Sequence, residues 1–156
     1  MSEHTAVVSW SRNGENFVDK RYSRGHRWQF DGGVGVPASA SPHVVPLPLS
    51  VAEAVDPEEA FVASLSSCHM LWFLSLAAER FLVESYRDEA IGVLAKDAAG
   101  KLFMSRVTLR PEVRFGGDAP PGQIEQAELH HEAHERCYIA RSVKTQVRCE
   151  PRHPEP

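Results

Sequence analysis

An α+β fold is predicted by three features of this sequence. A long uncharged helix-forming stretch runs from Ala60 to Ala78, segments with period-two hydrophobicity lie on either side of it, and a second, mostly polar helix-forming stretch runs from Gln123 to Arg136. Antiparallel sheets covering a central helix, in one domain spanning residues 1–156, is the arrangement these features favour.

In chain order, Thr5 to Trp10 alternates weakly and is followed by Asn13-Gly14, the strongest short hairpin signal, so Asn16 to Tyr22 is expected to return antiparallel. A turn at Ser23-Arg24-Gly25 leads to a strand at Trp28-Gln29-Phe30, which Asp31-Gly32-Gly33 ends. Pro37, Pro42, Pro46 and Pro48 remove the backbone donors that a ladder or helix needs, so Pro37 to Ser50 is predicted to be an extended, ordered loop.

Asp56 is suited to N-cap the long helix, Pro57 suits its first turn, and Glu58 and Glu59 place negative charge on the positive end of its dipole. Phe61, Leu65, Cys68, Trp72 and Leu76 recur as one apolar stripe, which points Cys68 into the packing partner. The stretch is long enough to cross a bilayer, but Ser64, Ser66, Ser67, Ser75 and His69 interrupt it and favour a core helix.

Two long period-two segments follow, Val83 to Lys96 and Leu102 to Phe115, joined by a turn at Asp97-Ala98-Ala99-Gly100 and predicted to form a hairpin whose apolar face covers the helix. Gly116-Gly117 and Pro120-Pro121 end it. The Gln123 to Arg136 helix comes next, then a strand over Ser142 to Cys149 and a frayed tail, Pro151 to Pro156.

Composition narrows the function. A net charge of -4 gives no basic surplus for nucleic acid or an anionic membrane surface. The first ten residues lack the apolar core of a signal peptide, which predicts a cytoplasmic protein. Three cysteines in a reducing compartment suit one functional pair, with Cys149 in the last strand as a bystander, better than a disulfide framework.

A free cysteine usually packs as a small apolar side chain. Cys68, however, is flanked by Ser66, Ser67 and His69, and Cys137 follows His130 and His134 on one stripe of the second helix. That pattern permits a thiol activated by imidazolium, or, more weakly, a zinc held by both histidines with Cys137 and Cys68. A peroxide-reducing cysteine also needs a cation that does not titrate, for which Arg21, Arg24 and Arg27 are available, and Glu58 could fix a guanidinium through a bidentate pair. Phe61, Trp72 and Phe73 could line an apolar pocket or belong to the core.

These residues resemble the family of osmotically inducible protein C and the organic hydroperoxide resistance proteins. The resemblance is carried by Asp56-Pro57-Glu58-Glu59, Ser66-Ser67-Cys68-His69-Met70, His130, Ala133, His134 and Cys137-Tyr138-Ile139-Ala140, then Ser142-Val143. It implies a cytoplasmic thiol peroxidase without cofactor or bound metal, built as an intertwined homodimer. In such a protein Cys68 attacks the organic hydroperoxide and Cys137 resolves the product to a disulfide, with Arg24 (Arg27 second) and Glu58 completing the site. The same resemblance implies a dithiol reductant, such as a lipoylated protein. The alternative is a protein of the same fold that binds a metal or small electrophile through its cysteines and histidines without turnover.

Overall fold

A computed structural model describes residues 1–152. The chain divides into two compact units, Met1–Ala60 and Phe61–Pro156.

In the first unit, β1 (Ala6–Ser9), β2 (His26–Phe30) and β3 (Gly35–Ala38) form an antiparallel sheet in the order β1-β2-β3. The expected return strand at Asn16 to Tyr22 does not form. Asn13-Gly14 turns as expected, with both residues at positive φ, but Lys20 also takes positive φ in a second turn. Trp10, Phe17 and Tyr22 then close into an aromatic cluster, with Phe17 and Tyr22 stacked at 4.8 Å, so the segment folds on itself and leaves the edge of β1 to β2. β3 was hidden by Pro37, which lies inside it. An edge strand tolerates a missing N–H, and β3 is at the edge of its sheet.

Helix α1 (Pro57–Ala77) starts where the sequence places it. Asp56 Oδ1 accepts from the Glu59 backbone N–H at 2.8 Å, and Glu59 Oε2 accepts from the Asp56 N–H at 3.0 Å. This reciprocal capping box satisfies two otherwise orphaned donors and is worth about 1 kcal/mol. The buried face is rotated from the expected stripe. It consists of Leu65, Cys68, His69, Phe73 and Ala77, while Phe61, Trp72 and Leu76 are only partly covered and Leu71 is exposed.

In the second unit the two long period-two segments each break in the middle. They give β4 (Leu82–Asp88), β5 (Ile91–Lys96), β6 (Leu102–Leu109) and β7 (Pro111–Gly116). β4 pairs antiparallel with β7, and β5 pairs antiparallel with β6 through the predicted Asp97–Gly100 turn. Asp88 Oδ1 accepts from the Arg110 N–H at 2.6 Å, and Pro111 has no N–H to offer, so the ladder cannot continue through the break.

Helix α2 (Gln123–Arg136) matches its predicted limits and is followed by a short helix, α3 (Tyr138–Arg141), that the sequence reading missed. β8 (Gln146–Cys149) joins β6 in parallel rather than antiparallel, giving the order β5-β6-β8. The start of the tail is not frayed: Glu150 and Arg152 donate their backbone N–H groups to Leu109 and Pro111, and residues 153–156 lie outside the described residues.

Two apolar clusters seat α1 in this unit. Phe73 and Ala77 pack with Val113 of β7 and Ala133 of α2, while Leu65 packs with Val107 and Leu109 of β6. Gly92 in β5 allows the close approach. A Cβ there would stand 2.6 Å from Val62 Cγ2 and 2.8 Å from Met104 Sδ.

Candidate functional site

Cys68 lies on the buried face of α1, and Cys137 lies at the junction where α2 ends and α3 begins. Cys68 is near enough to Cys137 to act on the ionisation of its thiol. Cys137 is held there by its own helix: its Sγ accepts from the Ala140 N–H at 3.4 Å as the N-cap of α3. The sequence separation of the two cysteines is therefore closed by a helix-to-helix corner that no local pattern announces.

Burial, and then contact with Cys68, push the Cys137 thiol from its ordinary 9.0 up to about 11. Burial, with Asp88 and Glu150 nearby, pushes Cys149 up to about 12, and burial with Asp88 and Cys149 also raises the Tyr86 phenol. Each of these groups keeps its proton in the folded protein at a pH where the unfolded chain has released it. Their stabilisation is full below pH 9 and is lost as pH rises through the folded values. Urea unfolding measured from pH 8 to pH 12 is therefore expected to show stability falling above about pH 9, with Cys137 alone contributing roughly 2 kcal/mol of the fall. Cys137→Ser should remove that part of the slope and leave the part due to Cys149 and Tyr86. An unchanged slope in the variant would contradict the assignment.

A cavity of about 230 Å³ lies against Cys68, lined also by Leu71, Trp72, Ser75 and Tyr138. Of the three aromatics that could line a pocket or belong to the core, only Trp72 lines this one. Phe73 is fully buried in the core, and Phe61 packs with the Leu65 cluster. Tyr138, directly after Cys137 in sequence, supplies a wall that was not foreseen.

The first unit holds the other two expected site residues. The Arg24 guanidinium lies 3.7 Å from the centre of the Tyr22 ring and donates to the Lys20 carbonyl at 3.0 Å and to the Tyr22 carbonyl. Its backbone N–H donates to the Leu49 carbonyl at 2.7 Å, tying the arginine turn to the proline-rich loop. Arg27 is exposed beside Gly35. Glu58 Oε2 is shut off from solvent with no hydrogen-bond partner among the described residues, and no ion pair joins it to Arg24 there.

The histidines are arranged differently from the expected stripe. His130 turns to His69 of α1, with the two rings near parallel and His69 Nε2 standing 3.1 Å from His130 Nδ1. His130 also stacks on Phe73 at 4.3 Å. Cys149 Sγ completes the group at 3.7 Å from His69 Nε2. The zinc set of His130, His134, Cys137 and Cys68 permitted by the sequence is thus not the group that assembles; the described residues gather His69, His130 and Cys149 within 4.8 Å of one another. His69 was noted only as a polar neighbour of Cys68, and Cys149 as a bystander. The period-two pattern of β8 was the one available signal that Cys149 faces inward.

Comparison with known proteins agrees with this architecture. A family model described as OsmC-like protein matches residues 50–152. The chain is 57% identical to an OsmC-like protein of unknown function from Vibrio cholerae, over 97% of this chain and 100% of that one, with a TM-score of 0.95. Two more distant structures share the fold. An organic hydroperoxide resistance protein OsmC from Legionella pneumophila is 15% identical, over 99% of this chain and 98% of that one, with a TM-score of 0.69. The organic hydroperoxide resistance protein OhrB of Bacillus subtilis is 17% identical, over 98% of each chain, with a TM-score of 0.66. No curated protein matches the chain.

Proposed function

Since the chain belongs to the family of OsmC-like proteins, we propose that it is a thiol-dependent peroxidase that reduces organic hydroperoxides with Cys68 and Cys137. The observation that carries this reading is the nearness of the two cysteines, with an apolar cavity lined by Cys68 and by Tyr138, the residue directly after Cys137. The names of the Legionella and Bacillus proteins, which share the fold, support the substrate class.

In the first step the Cys68 thiolate attacks one peroxide oxygen, the O–O bond breaks, and the other oxygen leaves with a proton as the alcohol. Cys68 is thereby oxidised to the sulfenic acid. In the second step Cys137 attacks the Cys68 sulfur, an S–S bond forms, and the sulfenic oxygen leaves as water with the thiol proton of Cys137. The raised value of Cys137 suits this order, because it keeps Cys137 protonated and so leaves the first attack on the peroxide to Cys68. An external dithiol, such as a lipoylated protein, then reduces the disulfide and is itself oxidised.

Arg24, with Arg27 second, is assigned to stabilise the thiolate and orient the peroxide. Glu58 is assigned to hold that guanidinium, a role consistent with its buried, unpartnered oxygen. A homodimer in the cytoplasm is the assembly this reading carries. Leu71 and Trp72 favour an alkyl or aryl peroxide by apolar contact. The reading is tested by following thiol loss in the reduced protein with cumene hydroperoxide and hydrogen peroxide in parallel. Faster reaction with the organic peroxide supports it, and thiols that survive both refute it.

A further inference from the structure

We propose that His69, His130 and Cys149 form a binding site for a divalent cation of the zinc type, using neither thiol of the peroxidase pair. Three elements distant in sequence bring these residues together: α1 supplies His69, α2 supplies His130, and β8 supplies Cys149. The histidines are 1% and 5% exposed, and Cys149 is half-buried at the end of its strand.

The spacing suits a tetrahedral ion. With metal–nitrogen bonds of about 2.0–2.1 Å and a metal–sulfur bond of about 2.3 Å, a tetrahedron places two nitrogens about 3.4 Å apart and a nitrogen and a sulfur about 3.6 Å apart. Two of the three separations here are 3.1 Å, between His69 Nε2 and His130 Nδ1, and 3.7 Å, between His69 Nε2 and Cys149 Sγ, and the three ligand atoms all lie within 4.8 Å of one another. Three protein ligands leave a fourth position for water, the pattern of an open rather than a closed zinc site.

Without an ion the cluster is poorly matched. His69 Nε2 faces both His130 Nδ1 and the Cys149 thiol, and a single nitrogen, whether donor or acceptor, does not serve both fully. The surroundings are also polar in the right way. The Tyr86 hydroxyl is buried without a partner among the described residues, and Asp88 and Cys149 both act on its ionisation. Asp88 is fixed by the Ser66 hydroxyl at 2.6 Å and by the Arg110 N–H. Binding would release the Cys149 proton to solvent and leave the thiolate on the ion.

The experiment loads reduced, chelator-treated full-length protein with cobalt(II) and, separately, with zinc(II). The wild type and the Cys68→Ser/Cys137→Ser double variant are expected to take up one ion per chain, with a near-ultraviolet thiolate-to-cobalt band. Cys149→Ser should lose that band, and its zinc affinity should fall by more than the roughly 10–100-fold that removal of an outer-shell partner costs. X-ray absorption of zinc-loaded wild type, which depends on no variant folding, should find one sulfur at about 2.3 Å with nitrogen and oxygen ligands. A band that persists in Cys149→Ser, one that vanishes in the double variant, two sulfurs on the zinc, or no uptake at all would each overturn the site.

Discussion

Cys68→Ser is expected to abolish hydroperoxide reduction, lowering the rate by roughly three orders of magnitude or more. The reaction depends on a sulfur nucleophile whose oxidised form can be displaced by a second thiol. A serine hydroxyl is a far weaker nucleophile toward a peroxide, and it gives no sulfenic acid for Cys137 to resolve. The fold should tolerate the change, because serine is close to cysteine in size. Stopped-flow consumption of cumene hydroperoxide by the reduced variant measures the effect, with circular dichroism as the check on folding. A variant that keeps a tenth or more of the wild-type rate would remove Cys68 from the chemistry.

Phe73→Ala is expected to produce the largest loss of stability of any single truncation in α1. Phe73 is fully buried, packs with Ala77, Val113 and Ala133, and its ring meets those of His130, Tyr86 and Phe115 at 4.3, 5.6 and 6.4 Å. Removing it deletes a large apolar group and leaves a cavity at the meeting point of α1, α2 and the β4–β7 sheet. Such changes cost about 3–5 kcal/mol, a large part of a typical domain's stability. Urea unfolding measures it. A loss below about 1 kcal/mol would mean that this helix is not seated through Phe73.

Local chemistry carried much of this architecture into the sequence. Asp56 and Glu59 form the capping box that sets the start of α1, and the limits of α2 follow from its helix formers and the glycine and prolines before it. The Asp97–Gly100 turn fixes the β5–β6 hairpin. What could not be read depends on partners distant in the chain. The break of the long strands rests on Asp88 capturing the Arg110 N–H, a contact between residues 22 apart. β8 chooses a parallel place beside β6, and period-two alternation is the same for either direction. The Asn16 to Tyr22 segment follows a hairpin signal, but its Phe17 and Tyr22 close on Trp10 as an aromatic cluster instead of pairing with β1.

The site divides along the same line. Cys68 and Cys137 stand out by their neighbours in sequence and are brought together by the structure. His69 and Cys149 carry no local signal of partnership. They meet only because α1 and β8 converge. Helical spacing alone groups His130 with His134 and Cys137, but the buried contact of His130 with His69 is made across two helices.

The central claim is that Cys68 and Cys137 act as one redox pair. The most direct measurement is a disulfide map of the reduced, metal-free protein after one equivalent of cumene hydroperoxide. The account predicts a single dominant crosslink between the peptides carrying Cys68 and Cys137, with Cys149 remaining a free thiol. A crosslink that runs instead to Cys149, or a Cys68 that stays reduced while the peroxide persists, would contradict it.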